Sequence, residues 1–220
     1  FVDLKKSLYD FQDELSLADN HFLFTRLEGY CVLKIKSGTD NSGHFDNELF
    51  GIYKTILENK YYESDSSKFV SVDLFRNILI QSVKLREINW LEEFISEYGR
   101  LLHPNRQKDI INYSNALLQF ERNAYEEALS YLSRIQIEEF AYHLDMRNLY
   151  LKIYYDQGDH ETAFNFARSF KKYLNENTMV SEDKKLTHEN FIKYINKLIN
   201  FHNSNSKTDL TSLKVQITKC

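Results

Sequence analysis

Two stretches of the chain decide its fold: NAYEEALSYL at residues 123–132 and GDHETAFNFA at residues 158–167. The second stretch follows the first by 35 positions, so that Ala163 corresponds to Ala128. In both, a turn residue precedes a ring-bearing residue, and a small residue follows three positions later. A period of about 34 residues with these features is typical of tandem helical hairpins. The sequence therefore predicts an all-α fold built from repeated pairs of helices.

The composition of the chain agrees with helices throughout. Of 220 residues, 42% are hydrophobic and 15% aromatic, while there are only one proline and six glycines. Proline and glycine interrupt regular structure, so their scarcity over this length favours long helices. The abundant Tyr and Phe rings are suited to filling the seams between helical hairpins.

Charge and cysteine content exclude several functional classes. The net charge is −4 and the lysines and arginines are scattered, whereas nucleic-acid binding needs cations clustered on one face. Cys31 and Cys220 lie too far apart for a metal motif or a disulfide framework, which fits a reducing compartment. No apolar run reaches the ~20 residues that span a bilayer, and no signal peptide is visible. We therefore expect a cytoplasmic protein that binds neither nucleic acid nor membrane.

Helical periodicity divides the chain into three predicted regions. Residues 1–60 hold degenerate N-terminal hairpins, residues 69–202 hold the regular helical repeats, and residues 203–220 form a polar tail or a truncated helix. The polar connector at 61–68 is the best candidate for a domain boundary. The predicted helices are 3–16, 21–36, 45–59, 72–86, 89–98, 107–121, 124–136, 142–156, 159–175 and 186–201.

The second of these helices has a predicted cap and a predicted buried face. Asn20 is expected to cap its N-terminus, because Asn side chains accept hydrogen bonds from the first free N–H groups of a helix. Its apolar face is expected to hold Phe22, Leu23, Leu27, Tyr30, Cys31 and Leu33.

Gly158-Asp159, Ala163 and Ala167, with Tyr154 one turn before the break, resemble the tetratricopeptide repeat consensus. The resemblance implies an α-α superhelix, a solenoid of antiparallel hairpins whose helices approach closely at the small positions. Those positions are Ala128, Leu132, Ala163 and Ala167. The earlier hairpin departs from the consensus, because no glycine precedes Trp90 and Phe94 stands where a small residue is expected. Residues 45–202 are also similar to a group of bacterial tetratricopeptide-like proteins.

No motif in the chain points to catalysis or to a cofactor. His160-Glu161 and His188-Glu189 begin like zinc-protease helices, but Phe164 and Ile192 occupy the places of the second histidine. The loop Asp40–Asp46 has its glycine too early for a calcium loop. Cys31 stands among apolar residues and is interpreted as a buried, inert thiol. We expect no metal, no cofactor and no enzymatic activity. Trp90, the single tryptophan, is expected to pack between hairpins.

One set of residues is a candidate for binding a partner. In tetratricopeptide arrays the first helix of each hairpin lines a concave surface, and the 35-residue offset superimposes the corresponding residues of two such helices. Aromatic rings, an amide and a lysine together suit an extended or helical peptide. The alternative is that the same rings only pack helix against helix. The candidate groove consists of Tyr113, Ser114, Leu117, Phe120, Asn148, Leu149, Lys152 and Tyr155.

The sequence favours a non-enzymatic scaffold that binds a protein or peptide on the concave face of a helical stack. The alternative is a sensor or regulatory segment of a larger signalling or transcription-regulating protein. Self-association through the terminal hairpins is a further expectation, because end repeats expose apolar faces unless they are capped.

Overall fold

A computed structural model describes residues 1–38, 42–63, 67–136 and 140–203. Within these ranges the secondary structure consists of α-helices with two short 3₁₀ turns, at Gln12–Glu14 and Gly99–Leu101, and the predicted all-α fold is confirmed. The predicted tail lies outside the described residues from position 204 onwards, as does part of the Asp40–Asp46 loop. The helices are α1 (Val2–Phe11), α2 (Leu17–Lys36), α3 (His44–Glu58), α4 (Val72–Lys84), α5 (Ile88–Tyr98), α6 (Pro104–Glu121), α7 (Tyr125–Leu132), α8 (Phe140–Asp156), α9 (His160–Glu176) and α10 (Glu182–Asn203).

The chain divides into two compact units, which we call unit 1 (Phe1–Asn123) and unit 2 (Ala124–Cys220). The division falls inside the hairpin predicted over 107–136, and not at the connector 61–68. The connector belongs to unit 1 because its ends are packed there. Tyr61 and Tyr62 are buried, and Val70 donates a backbone hydrogen bond of 2.9 Å to the Leu101 carbonyl.

In unit 1, consecutive helices pack against one another. The contacts join α2 with α3, α3 with α4, α4 with α5, and α5 with α6. Buried side chains come from every one of these helices and include Phe24, Ile52, Phe75, Phe94 and Ile110. Helices that bury two faces in this way support each other, so no single hairpin carries the core alone.

The beginning of α2 corrects the predicted helix boundary. The cap is Ser16, whose Oγ accepts a hydrogen bond of 3.1 Å from the Asp19 N–H, and α1 ends at Phe11. Asn20 is instead buried inside the helix, where its amide donates to the Gln12 and Leu15 carbonyls at 2.8 and 3.4 Å. The prediction that Asn20 caps α2 is therefore wrong, because its side chain ties down the preceding turn.

The buried face of α2 matches the predicted one at Leu27 and Cys31 and differs from it at other positions. The residues that are buried are Asn20, Phe24, Leu27 and Cys31, at spacings of four, three and four. Phe22, Tyr30 and Leu33 are exposed. Because α2 carries apolar residues around most of its circumference, periodicity alone does not indicate which stripe meets α3.

In unit 2, α9 lies between α8 and α10. Ala163, Ala167, Phe170 and Leu174 of α9 are fully buried in a core with Leu144 and Leu151 of α8 and with Ile192, Ile195 and Ile199 of α10. Ala128 and Leu132 of α7 are buried as well. The burial predicted for the four small or close-packing positions is thus confirmed.

Two further helix boundaries differ from the predicted ones. Helix α7 ends at Leu132 rather than near 136, and the Ser133 hydroxyl donates to the Ser130 carbonyl in the turn that follows. Such side-chain bonds to the backbone compete with helix continuation. Helix α10 begins at Glu182, four residues earlier than expected, and Glu182 and Asp183 in its first turn favour that start. Within the described ranges, no helix has the length and apolar character needed to cross a membrane.

Candidate functional site

The predicted groove has four residues in α6 of unit 1 and four in α8 of unit 2. In α6, Tyr113, Ser114 and Leu117 are buried, and the Ser114 hydroxyl donates to the Ile110 carbonyl at 2.7 Å. Phe120 is partly buried. A partner needs accessible side chains, so the prediction is wrong for Tyr113, Ser114 and Leu117, which belong to the protein interior.

In α8, the predicted groove residues mostly contact other residues of unit 2. The Asn148 amide lies 3.2–3.3 Å from Nδ1 of His188 in α10, and the Tyr155 hydroxyl lies 3.2 Å from Nε2 of His202. Leu149 is buried. Lys152 is the exposed residue of this set. The alternative interpretation, in which these side chains pack helix against helix, therefore describes Asn148, Leu149 and Tyr155 better than the predicted binding groove.

Unit 1 contains a polar cavity of about 270 Å³ between α2 and α4, closed at one side by the residues that follow α3. We call it the polar cavity because Glu28, Asp73 and Asn77 line it, together with a larger area of apolar surface. Its walls are formed by side chains from both helices and from the start of the connector. The lining residues are His21, Thr25, Glu28, Ile56, Tyr61, Tyr62, Ser71, Asp73, Leu74 and Asn77.

The spacing of these residues along α2 and the start of α4 explains why they face the cavity. His21, Thr25 and Glu28 occur at spacings of four and three, so they form one stripe of α2 beside the buried stripe through Phe24 and Leu27. On α4, Ser71 caps the helix by accepting a hydrogen bond of 3.2 Å from the Leu74 N–H. The α4 N-terminus is thereby fixed at the wall of the cavity.

The end of α3 brings the tyrosines to the cavity. Lys60 adopts a left-handed conformation with φ 56°, its N–H bonds to the Leu57 carbonyl, and the Tyr61 N–H bonds to the Ile56 carbonyl at 2.9 Å. This pair of bonds is the Schellman arrangement that ends many helices. The turn directs the Tyr61 ring onto Phe24, with ring centroids 4.9 Å apart.

Glu28 is the partly buried carboxylate of the cavity. Its Oε1 accepts a hydrogen bond of 3.1 Å from the hydroxyl of Tyr53, which is buried. Burial raises the pKa of Glu28 above its ordinary value, while hydrogen bonds from Tyr53 and Asn77 and the charge of His21 lower it in part. Burial, together with the Glu28 carboxylate, also raises the pKa of Tyr53. A carboxylate placed where its charge is disfavoured is a feature of functional clefts.

Three other polar residues of the cavity, His21, Thr25 and Ser71, have structural hydrogen bonds. Nδ1 of His21 lies 2.5 Å from the Tyr61 carbonyl, which accepts, so Nδ1 carries the hydrogen. The Thr25 hydroxyl donates to the His21 carbonyl at 2.7 Å, and Ser71 is engaged as the α4 cap. What the cavity offers a ligand is therefore mainly acceptor oxygens and aromatic surface.

Two other cavities of unit 1 lie between other pairs of helices, and the one beside Trp90 is also lined by carboxylates, those of Glu58, Glu93 and Glu97. One, of about 390 Å³ between α1 and α2, is lined mainly by apolar side chains such as Leu4, Phe11 and Leu23. The second, of about 290 Å³, lies between α3 and α5 beside Trp90. The Lys54 ammonium lies over the Trp90 ring at 5.4 Å, so one face of the indole already carries a cation.

Trp90 and Cys31 have the structural roles that the sequence predicts. The Trp90 ring meets Phe50 of α3 edge-on at 4.8 Å and stacks on Phe94 at 5.3 Å, so the tryptophan packs between helices. Cys31 is buried, and burial, followed by the charge of Glu48, raises the pKa of its thiol to about 11. A thiol with so high a pKa is a poor nucleophile.

The polar cavity is not predicted from the sequence, because part of the face expected to be buried on α2 is exposed instead. With the stripe through Phe24, Leu27 and Cys31 recognised, Glu28 would stand out as a carboxylate beside the core. Among the residues the structure describes, no group of three or more His, Cys, Asp or Glu side chains is arranged to hold a metal ion.

Comparisons of the chain with protein-family models, with curated proteins and with solved structures find no match.

Proposed function

We propose that this chain is a non-enzymatic interaction scaffold, a stack of helical hairpins that binds a segment of a protein partner. The polar cavity of unit 1 is the place where a partner side chain is held. The observation that carries the proposal is the cavity itself, an opening lined by α2, α4 and the end of α3 with a partly buried carboxylate in its wall. Buried polar groups are costly, so an arrangement that keeps them beside a cavity is expected to serve recognition.

The size of the cavity favours a single side chain over a whole small molecule. Sites for cofactors and drug-sized ligands measure about 300–1,000 Å³, whereas this cavity measures about 270 Å³. A peptide that places one residue in the cavity and lays its backbone along the surface of the helices fits this volume. Recognition of peptides by helical grooves commonly uses such anchor residues.

The proposal is non-enzymatic because the candidate nucleophiles and bases of the cavity have other roles. Ser71 caps α4, Thr25 bonds to its own helix, and the His21 ring is held by the Tyr61 carbonyl. General acid–base or nucleophilic catalysis needs a nucleophile paired with a positioned base. No such pair is formed among these hydrogen bonds.

A bulky substitution at the rim of the cavity tests the proposal. Thr25 is exposed, and its hydroxyl bonds only within its own helix, so Thr25→Trp is expected to fold and to obstruct the cavity. Peptides selected from a displayed random library on the original protein should lose binding to this variant by about tenfold or more. Affinities are measured by fluorescence anisotropy.

Thr187→Trp is the matched control. Thr187 is also exposed, and its hydroxyl bonds to the carbonyl four residues earlier, but it lies on α10 of unit 2. This variant should bind the selected peptides like the original protein. A library that gives no binding peptide, or peptides that bind Thr25→Trp unchanged, would overturn the proposal.

A further inference from the structure

We infer that the partner side chain in the polar cavity is basic, with an arginine guanidinium as the best fit, and that Glu28 is the residue that selects it. This inference rests on the proposed function, since it names the chemistry of the anchor residue.

The charges of the cavity wall favour a cation. The lining residues include two carboxylates, Glu28 and Asp73, and one imidazole, His21, but neither lysine nor arginine. An acidic side chain in this space would meet two like charges. An apolar side chain would remove water from Glu28 and Asn77 without replacing its hydrogen bonds. The cavity therefore disfavours both alternatives and accepts a donor with positive charge.

The Glu28 carboxylate has capacity left for such a donor. An ionised carboxylate accepts about four hydrogen bonds, and the side chains that donate to Glu28 are Tyr53 and Asn77. Both are neutral. The charge of His21 also lowers the pKa of Glu28, although less than these two hydrogen bonds do. A guanidinium from a partner would add a permanent positive charge and paired N–H donors.

The aromatic residues of the cavity favour a guanidinium over an ammonium ion. Tyr61 and Tyr62 line the same space, and a planar guanidinium packs on aromatic faces while it donates in its own plane. A lysine ammonium is compact and strongly hydrated, so it gains less from such walls.

The test uses N-acetyl-L-arginine amide as the probe and N-acetyl-L-citrulline amide as its neutral isostere. Binding to the whole chain is followed by NMR titration of the backbone amides around the cavity. The arginine probe should shift the resonances of residues in α2 and α4, and the citrulline probe should bind at least about tenfold more weakly, because it lacks the charge.

Two variants test whether the Glu28 carboxylate causes the preference for the arginine probe over the citrulline probe. Glu28→Gln keeps the shape of the side chain and should lower the affinity for the arginine probe about tenfold or more. Glu93→Gln removes the same charge from the cavity beside Trp90, and it should leave the affinity unchanged. Unchanged dispersion of the NMR spectrum reports that both variants are folded.

The outcomes separate this inference from the proposed function. If peptides bind in the Thr25-sensitive site but carry no basic anchor, or bind Glu28→Gln unchanged, the inference is overturned and the scaffold proposal stands. If the arginine probe binds no better than citrulline, the inference is overturned as well. If neither peptide nor probe binds, both fail.

Discussion

The ionised Glu28 side chain is expected to lower the stability of the folded protein, while it supports the proposed binding of a partner. The carboxylate lies partly buried in α2, and burial raises its pKa despite the hydrogen bonds from Tyr53 and Asn77. A ligand that pairs with such a charge can offset the loss of stability that the charge causes in the unbound protein. The pH dependence of unfolding follows from the direction of this shift.

Because the pKa of Glu28 is higher in the folded than in the unfolded chain, the folded state binds more protons between the two values. The contribution of Glu28 to stability is therefore lost as pH rises through this window. The groups facing it are His21 and Cys31 on its own helix, Tyr53 on α3 and Asn77 on α4.

We predict that Glu28→Gln raises the free energy of unfolding at pH 7, because it removes the disfavoured charge, and changes it less at pH 4. Urea unfolding followed by circular dichroism at the two pH values measures this. Glu93→Gln, which alters an exposed carboxylate of α5, should change stability little at either pH. A loss of stability in Glu28→Gln at pH 7 would contradict the assigned cause of the shift.

Individual positions also show where sequence reasoning fails. Counting from the repeat predicts that Tyr113, Ser114 and Leu117 lie on a surface, yet they are buried. Helix α6 packs against both α4 and α5, and a helix that packs on more than one side is apolar around most of its circumference. Counting along such a helix gives the spacing of its residues but does not give the side that remains open.

At the scale of the helices, the positions and types of the elements follow from the sequence much better than their ends do. All the predicted helices are present, because apolar periodicity is a local property. The ends depend on caps. The predicted cap of α2 is wrong, and the glycine that the repeat consensus places at the end of a helix is missing after α4. Ser16 replaces Asn20 at α2, and no glycine stands at the end of α4.

The missing glycine has a structural substitute. Arg86 takes the left-handed conformation with φ 59°, its N–H bonds to the Val83 carbonyl, and Glu87 bonds to the Ser82 carbonyl at 2.9 Å. Asn123 and Gly158, which correspond across the 35-residue offset, have positive φ values of 59° and 78°. A left-handed residue thus follows each of α3, α4, α6 and α8, and the four are Lys60, Arg86, Asn123 and Gly158.

We predict that Arg86→Gly stabilises unit 1. A residue with a Cβ pays roughly 1–2 kcal/mol for the left-handed conformation, and glycine loses roughly 0.5–1 kcal/mol more chain entropy on folding. The expected net gain is therefore about 0.5–1 kcal/mol, measured by urea unfolding.

Arg86→Ala is the control for this substitution. It removes the same exposed side chain but keeps the Cβ, so it should not stabilise the protein. An equal gain in both variants would attribute the effect to the arginine side chain and not to the backbone of the turn.

At the scale of the whole molecule, the all-α class was predictable, and the division into units was not. Fold class follows from composition and from helical periodicity summed over the chain. The boundary at Asn123–Ala124 depends on which helices pack together over long sequence distances, and the turn there resembles the other turns locally. The connector at 61–68 looks like a linker by composition, but its tyrosines are buried.

The net charge of −4 over the chain acts together with the two carboxylates of the polar cavity on any basic ligand. Added salt screens exposed charges strongly, with a Debye length of about 10 Å at 0.1 M and about 3 Å at 1 M, but it screens a partly buried pair less. We therefore predict that N-acetyl-L-arginine amide binds severalfold more weakly at 0.5 M than at 0.05 M sodium chloride, and retains measurable affinity at the higher concentration. In Glu28→Gln the salt dependence should be reduced, because one of the two nearby charges is gone.

Titrations of both proteins at the two salt concentrations test this. Binding that is independent of salt in the original protein would mean that the probe is held by its amide groups or its apolar surface, and not by charge.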